Sequence, residues 1–203
     1  MLFRSRRPNY RSRLVAREIK AARKPHELPG AAELFSGMPP LEAVKALCSL
    51  FVSRAHGGED LCLATYDISR AHFYGVPTRR LWVELPPEDT VGDKEPMVGL
   101  LKRTRYGTVD ASARWQSDYA GLLTQEGFQQ GKSNPAIFHH PKKDIRLLCH
   151  GDDFMVVCPS TSRVWFERVL KKYDYKRTGL LRTIAAGHNE TNSFDTQIGR
   201  AHV

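Results

Sequence analysis

Residues 146–158, Arg146-Leu-Leu-Cys-His-Gly-Asp-Asp-Phe-Met-Val-Val-Cys158, constrain the chain more than any other stretch. Two apolar arms flank the tip His150-Gly151-Asp152-Asp153. Arms of this kind read as strands and the tip as a tight turn, so the stretch is a β-hairpin. Gly151 tolerates the positive φ that such turns often need. The arms are too apolar for water, which puts the hairpin in the middle of a sheet. Two adjacent carboxylates at its tip repel each other, and a divalent cation relieves that repulsion. Mg²⁺ suits the position, because it takes one or two carboxylates, keeps several waters and binds substrate phosphates. The competing reading is an ordinary turn, since Asp and Gly are common turn residues. A third carboxylate decides between the two.

Leu61 to Asp67 (LCLATYD) supplies the candidate. It reads as a buried strand that ends on a charge, and a buried charge is costly unless it is paired or bound to metal. Around it the periodicities set out an α+β chain. A helix starts after Pro40, with Leu41, Val44, Leu47 and Phe51 on one face and Gly57-Gly58 as its stop. Ile68 to Gly75 is a compact turn or short helix, and residues 81–85 and 97–101 are short strands. Asp110 stands as the N-cap of a helix whose apolar stripe is Ala111, Trp115, Tyr119, Leu122 and Leu123, with Gly127 as its stop. Residues 136–139 form a strand before the hairpin. Pro159 to Ser162 caps a last helix with Trp165, Phe166, Val169, Leu170 and Tyr173 inward.

Composition bears on the partner. Of the net charge of +9, residues 1–24 carry nearly all, with nine Arg or Lys against Glu18 alone. A basic stretch of this density points to a polyanion such as nucleic acid, and a solvated arm is the alternative for residues 1–10. The four cysteines, Cys48, Cys62, Cys149 and Cys158, contain no C-x-x-C pair, so neither zinc nor a redox motif is signalled. Cys149 and Cys158 are expected as packed, reduced thiols. No secretory leader and no long apolar run is present, so a soluble, intracellular protein is expected, cytoplasmic or nuclear.

With both carboxylate positions placed, the chain resembles the reverse transcriptase of Ty1/copia-type retrotransposons over residues 11–179. Arg13-Leu-Val-Ala-Arg17 is similar to that family's RLVAR block, and Tyr66-Asp-Ile-Ser-Arg-Ala-His-Phe-Tyr-Gly75 to LDVKNAFLNG. Residues 81–87 resemble VYMEQPP, and residues 100–115 resemble LKKSLYGLKQAPRAW. Gly127-Phe128, Asn134 and Phe138 match a GF…D…LF spacer. His150-Gly-Asp-Asp153 occupies the YVDD position, and residues 170–179 resemble LKxxFxMKDLG. Seven blocks in order make the signal specific. The departures are His150 for Tyr, Gly151 for Val, Asp110 for the Gln that lies by the incoming nucleotide, Ser112 for Pro and Ala113 for Arg.

The resemblance implies fingers (mostly 11–60) and palm (mostly 61–179), with an antiparallel palm sheet packed on helices and no thumb. Residues 1–10 are then a disordered basic arm, and residues 180–203 a disordered or artefactual tail. It implies an RNA-directed DNA polymerase with two Mg²⁺ ions, replaceable by Mn²⁺. Its partners are an RNA or DNA template with primer and deoxynucleoside triphosphates. Asp67, Asp152 and Asp153 are the implied catalytic and metal residues, with Ile68 in the metal set. Arg11, Arg13, His72, Phe73, Asp110 and Lys176 are the implied nucleotide-binding residues. His72 falls where the family holds a bulky side chain under the deoxyribose. An acid at position 110 beside a triphosphate is unfavourable unless it caps its helix instead. Two alternatives stay open. One is a degenerate retroelement remnant that binds nucleic acid without catalysis. The other is a viral RNA-dependent RNA polymerase, which the Gly-Asp-Asp tip favours and His72 disfavours.

Overall fold

The computed structural model describes residues 15–16, 34–85 and 97–183. Its elements in chain order are α1 (Leu41–His56), β1 (Leu61–Ile68), a 3-10 turn (Ala71–Tyr74), β2 (Trp82–Glu84), β3 (Val98–Leu100) and α2 (Ala111–Gln125). These are followed by β4 (Gln129–Gln130), β5 (Ile137–His140), β6 (Ile145–His150), β7 (Asp153–Pro159), α3 (Ser160–Val169) and β8 (Tyr175–Arg182). Six strands form one sheet in the order β4-β5-β6-β7-β1-β8, and β2 and β3 form a separate ribbon. Every pairing in the six-stranded sheet is antiparallel.

The hairpin of β6 and β7 lies at the centre of that sheet. Its tip is tighter than the four residues expected. His150 pairs with Asp153, which leaves Gly151 and Asp152 as a two-residue loop. Gly151 has φ +63° and Asp152 has no positive φ, as in a type II′ turn with Gly at its first central position. The right-handed twist of the strands favours such a turn, so the hairpin is locally consistent.

Alternation along β1 and β7 sorts side chains to two faces. Cys62, Ala64, Tyr66 and Ile68, with Phe154, Val156 and Cys158, face α2 and α3 and form the main core. Trp115, Tyr119 and Leu123 of α2 and Phe166 of α3 fill it. Phe166 meets Tyr66 and Phe128 edge-on at 5.8 and 6.0 Å between ring centroids. Leu61, Leu63, Leu148 and Val157 face the other way, against Leu47 and Phe51 of α1. All four cysteines are free thiols, and Cys62, Cys149 and Cys158 are buried.

The structure departs from the sequence reading at the ends of elements. Leu41 is exposed, because α1 packs against the sheet with Ala43, Val44, Leu47 and Phe51 and leaves its first residue outside. Arg54, near the other end of α1, reaches Glu59 and Asp144, and Asp144 also holds Arg146 at 2.6 Å. No side-chain bond caps α3: Ser160 Oγ donates to Asp60 and Ser162 Oγ to the Lys143 carbonyl. The expected tail boundary at 180 moves outward. Residues Leu180 to Arg182 pair with β1, and the Thr183 amide donates to the Leu61 carbonyl. Of the RLVAR block only Val15 and Ala16 are described. The Ala16 amide donates to the Tyr106 carbonyl at 2.8 Å, and this approach requires Gly107, where a Cβ would stand 1.8 Å from the Ala16 carbonyl oxygen.

Phe166→Ala removes a fully buried ring from the junction of both helices with the sheet. It is expected to cost about 3–5 kcal/mol in equilibrium denaturation. Val164→Ala, on the exposed side of the same helix, should stay within about 0.5 kcal/mol of wild type.

Candidate active site

Asp67 is the penultimate residue of β1 and stands directly across from Asp153 of β7. The next rung is a hydrogen-bonded one, since the Ile68 amide donates to the Asp152 carbonyl at 2.9 Å. Rungs alternate, so Asp67 and Asp153 form the close, non-hydrogen-bonded kind of pair, with Cα atoms about 4.5 Å apart. On its other side Asp67 is in register with Lys176 of β8. Asp153, Asp67 and Lys176 thus make one row across three strands, with Asp152 in the adjoining turn and His150 opposite Asp153. The row belongs to the face that α1 covers at the far end, over Leu61 and Leu63. Asp67, Asp152 and Asp153 are all exposed.

The geometry concentrates negative charge in a chain that is basic as a whole. The Asp153 carboxyl is held above the usual carboxylate range. Burial contributes most, the charges of Asp152 and Asp67 add to it, and His150 works in the opposite direction. Among the described residues no three His, Cys, Asp or Glu side chains are gathered as a ready-made metal cage. An oxygen-only set of two or three mutually repelling carboxylates nevertheless fits a hard divalent cation, whose remaining ligands are waters and phosphate oxygens. Ile68 itself is fully buried, and its described role is the amide bond to Asp152.

Trp115 is a contributor that the sequence reading assigned only to the apolar stripe. Its indole Nε1 donates to the Gly151 carbonyl at 2.8 Å, and Trp115 itself is 2% exposed. A buried indole needs an acceptor, and here the acceptor is the turn that carries Asp152. The bulk of the residue was visible in the sequence, but nothing in the sequence pointed to its acceptor.

A second cluster sits on the 3-10 turn that follows β1. His72 packs edge-on against Tyr106 at 4.6 Å, and its Nε2 lies 3.4 Å from Ser112 Oγ. Phe73 lies 6.2 Å from Tyr106, with the Arg105 guanidinium over its ring at 5.6 Å. The turn is tied to β8 through its flanks: the Ser69 amide donates to the Asp174 carbonyl, and the Asp174 amide to Tyr74 Oη.

Asp110 is corrected on two counts. It occupies the N-cap position of α2 yet makes no side-chain capping bond. It is 0% exposed, so its carboxylate is not presented to a nucleotide as expected. Its surroundings turn it inward, with Arg114 Nε at 4.0 Å and the Arg114 amide bonded to its main-chain carbonyl. Arg11 and Arg13 lie outside the described residues.

Asp153→Asn tests the charge crowding without any assay of activity. The stability tied to the neutral form of Asp153 is present below the ordinary carboxylate value and is lost as pH rises through the raised value. Ionised Asp153 therefore opposes folding at neutral pH. In metal-free buffer the variant is expected to melt about 1–2 °C above wild type at neutral pH, a small gain because the group is largely exposed. The gain should vanish by pH 3.

Comparison with curated proteins finds a likeness to the retrovirus-related Pol polyprotein from transposon TNT 1-94 of Nicotiana tabacum. The two are 23% identical over 128 residues, which is 62% of this chain and 9% of that polyprotein. The chain therefore spans only a small part of the relative it matches. No family model matches, and no solved structure matches. The likeness supports a retrotransposon-derived origin for the chain. Among the described residues no helix is long and apolar enough to cross a membrane.

Proposed function

We propose that the chain is the fingers-and-palm part of an RNA-directed DNA polymerase of a Ty1/copia-type retrotransposon. The observation that carries this reading is the row Asp153–Asp67–Lys176, with Asp152 in the adjoining turn. Its substrates are a primed RNA or DNA template and deoxynucleoside triphosphates. Asp67 and Asp152, with Asp153 beside them, would hold the two Mg²⁺ ions. Bound there, the ions would lower the pKa of the attacking hydroxyl and offset charge on the phosphates.

The remaining roles belong to the chain's own groups. The primer 3′-hydroxyl gives its proton to solvent as its oxygen forms a bond to the α-phosphorus, and the bond from that phosphorus to pyrophosphate breaks. Lys176, in register with Asp67, is the proposed donor of a proton to the departing pyrophosphate. His72, held edge-on by Tyr106, is the proposed wall against a ribose 2′-hydroxyl. Trp115 fixes the turn that bears Asp152.

A second reading is a retroelement remnant that binds nucleic acid without catalysis. One observation favours it: the acid at position 110 is buried with neither carboxylate oxygen hydrogen-bonded, where related reverse transcriptases carry a Gln beside the nucleotide.

Primer extension on a primed RNA template separates the two. Asp67→Asn and Asp152→Asn are each expected to cut extension to below about a tenth of wild type, because an amide keeps the shape and loses the charge that holds Mg²⁺. The fold should be unchanged by circular dichroism. Extension retained in either variant would remove that residue from the site, and a wild-type protein that binds but never extends would select the remnant reading.

A further inference from the structure

The ribbon of β2 and β3 carries an apolar face that the polymerase reading does not use. Trp82 pairs with Leu100, and Glu84 with Val98. Alternate strand residues share a face, so these four stand together. Trp82 is 57% exposed, Val98 55% and Leu100 43%. A two-stranded ribbon is marginal on its own, and a contiguous exposed apolar patch of this kind marks an interaction site.

The charges around the face select its partner. Arg80 precedes β2, and Lys102 and Arg103 follow β3; all three are exposed. The Leu101 amide donates to the Leu81 carbonyl at 2.8 Å, which carries the pairing one rung further and brings Arg80 and Lys102 to the same end of the ribbon. Glu84 is the one acidic residue of the two strands. A second copy stacked on the face with like ends together would oppose these cations to one another.

We propose that this face binds a single strand of nucleic acid, with a base stacked on Trp82 and phosphates held by Arg80 and Lys102. Every base offers a π-face to an indole, so the contact is sequence-tolerant, and the cations supply the backbone attraction. The ribbon is tied to the candidate active site, since the Thr104 amide donates to the Gly75 carbonyl at 3.0 Å and its hydroxyl to the His72 carbonyl. The proposal goes beyond the polymerase reading and holds whether or not the carboxylates catalyse.

The test is fluorescence anisotropy of a short labelled oligodeoxythymidylate, with tryptophan emission followed in parallel. Trp82→Ala is expected to weaken binding roughly five- to a hundredfold, the range for loss of one stacked base. Trp82→Phe should retain most of the affinity, because it keeps an aromatic face, and should lose the emission change seen in wild type. Arg80→Gln with Lys102→Gln should lower the slope of log affinity against log salt by about one to two. Heparin, a polyanion without bases, should bind without the Trp82 emission change. Equal affinity in Trp82→Ala and wild type would overturn the proposal, as would heparin reproducing the emission change. A concentration-dependent dimer abolished by Trp82→Ala, without oligonucleotide binding, would assign the face to a second copy instead. Repeating the titration with Asp67→Asn separates this proposal from the polymerase reading, because binding to the ribbon should be unaffected.

Discussion

Two carboxylates on directly opposed positions of adjacent strands are unfavourable, and the arrangement around Asp67 and Asp153 is organised about that cost. Like charges across a non-hydrogen-bonded pair destabilise a sheet, and Asp152 in the turn adds a third. The neighbouring bonds hold the group in place. The Ile68 amide bonds to the Asp152 carbonyl, the Trp115 indole bonds to the Gly151 carbonyl, and Lys176 lies across from Asp67. A buried aromatic core of Trp115, Tyr119, Phe154 and Tyr173 lies beneath. A protein that keeps such a cluster on rigid central strands retains a local instability, and this pattern is characteristic of functional sites.

The two faces of the sheet divide the labour. One is sealed by α2 and α3. The other is covered by α1 over Leu61, Leu63, Leu148 and Val157, with Ile137 and Met155 packed beside them, and the strands run on from there to their charged ends. Moving α1 toward those ends would bury Asp67 and Asp153 without partners, at a high desolvation cost. Its docking at one end, reinforced by Arg54 with Asp144, leaves the carboxylate row exposed.

Much of this was legible in the sequence. The apolar arms around Gly151-Asp152 and the strand ending on Asp67 are strong local signals, because burial and a terminal charge are both visible along the chain. The spacing of Ala111, Trp115, Tyr119 and Leu123 marked the inward face of α2 for the same reason. What was not legible depends on partners far along the chain. The segment from Tyr175 to Arg182 has no alternation of its own, its burial being intermediate or exposed throughout, and it becomes a strand only by pairing with β1. Asp110 sits at a helix start, where propensity favours capping, yet its carboxylate lies inside with Arg114 nearby. The bond from Trp115 to the turn spans 36 residues, and no local pattern encodes it.

Central to the proposed function is the binding of two divalent cations by Asp67, Asp152 and Asp153 at the end of the sheet. Its most direct test is the broadening of backbone amide resonances on titration with Mn²⁺, in the absence of any substrate. The account predicts that signals of Asp67, Ile68, Gly151, Asp152 and Asp153 broaden first and that excess Mg²⁺ restores them. Broadening centred on another part of the protein, or none at these residues at concentrations that broaden others, would contradict it.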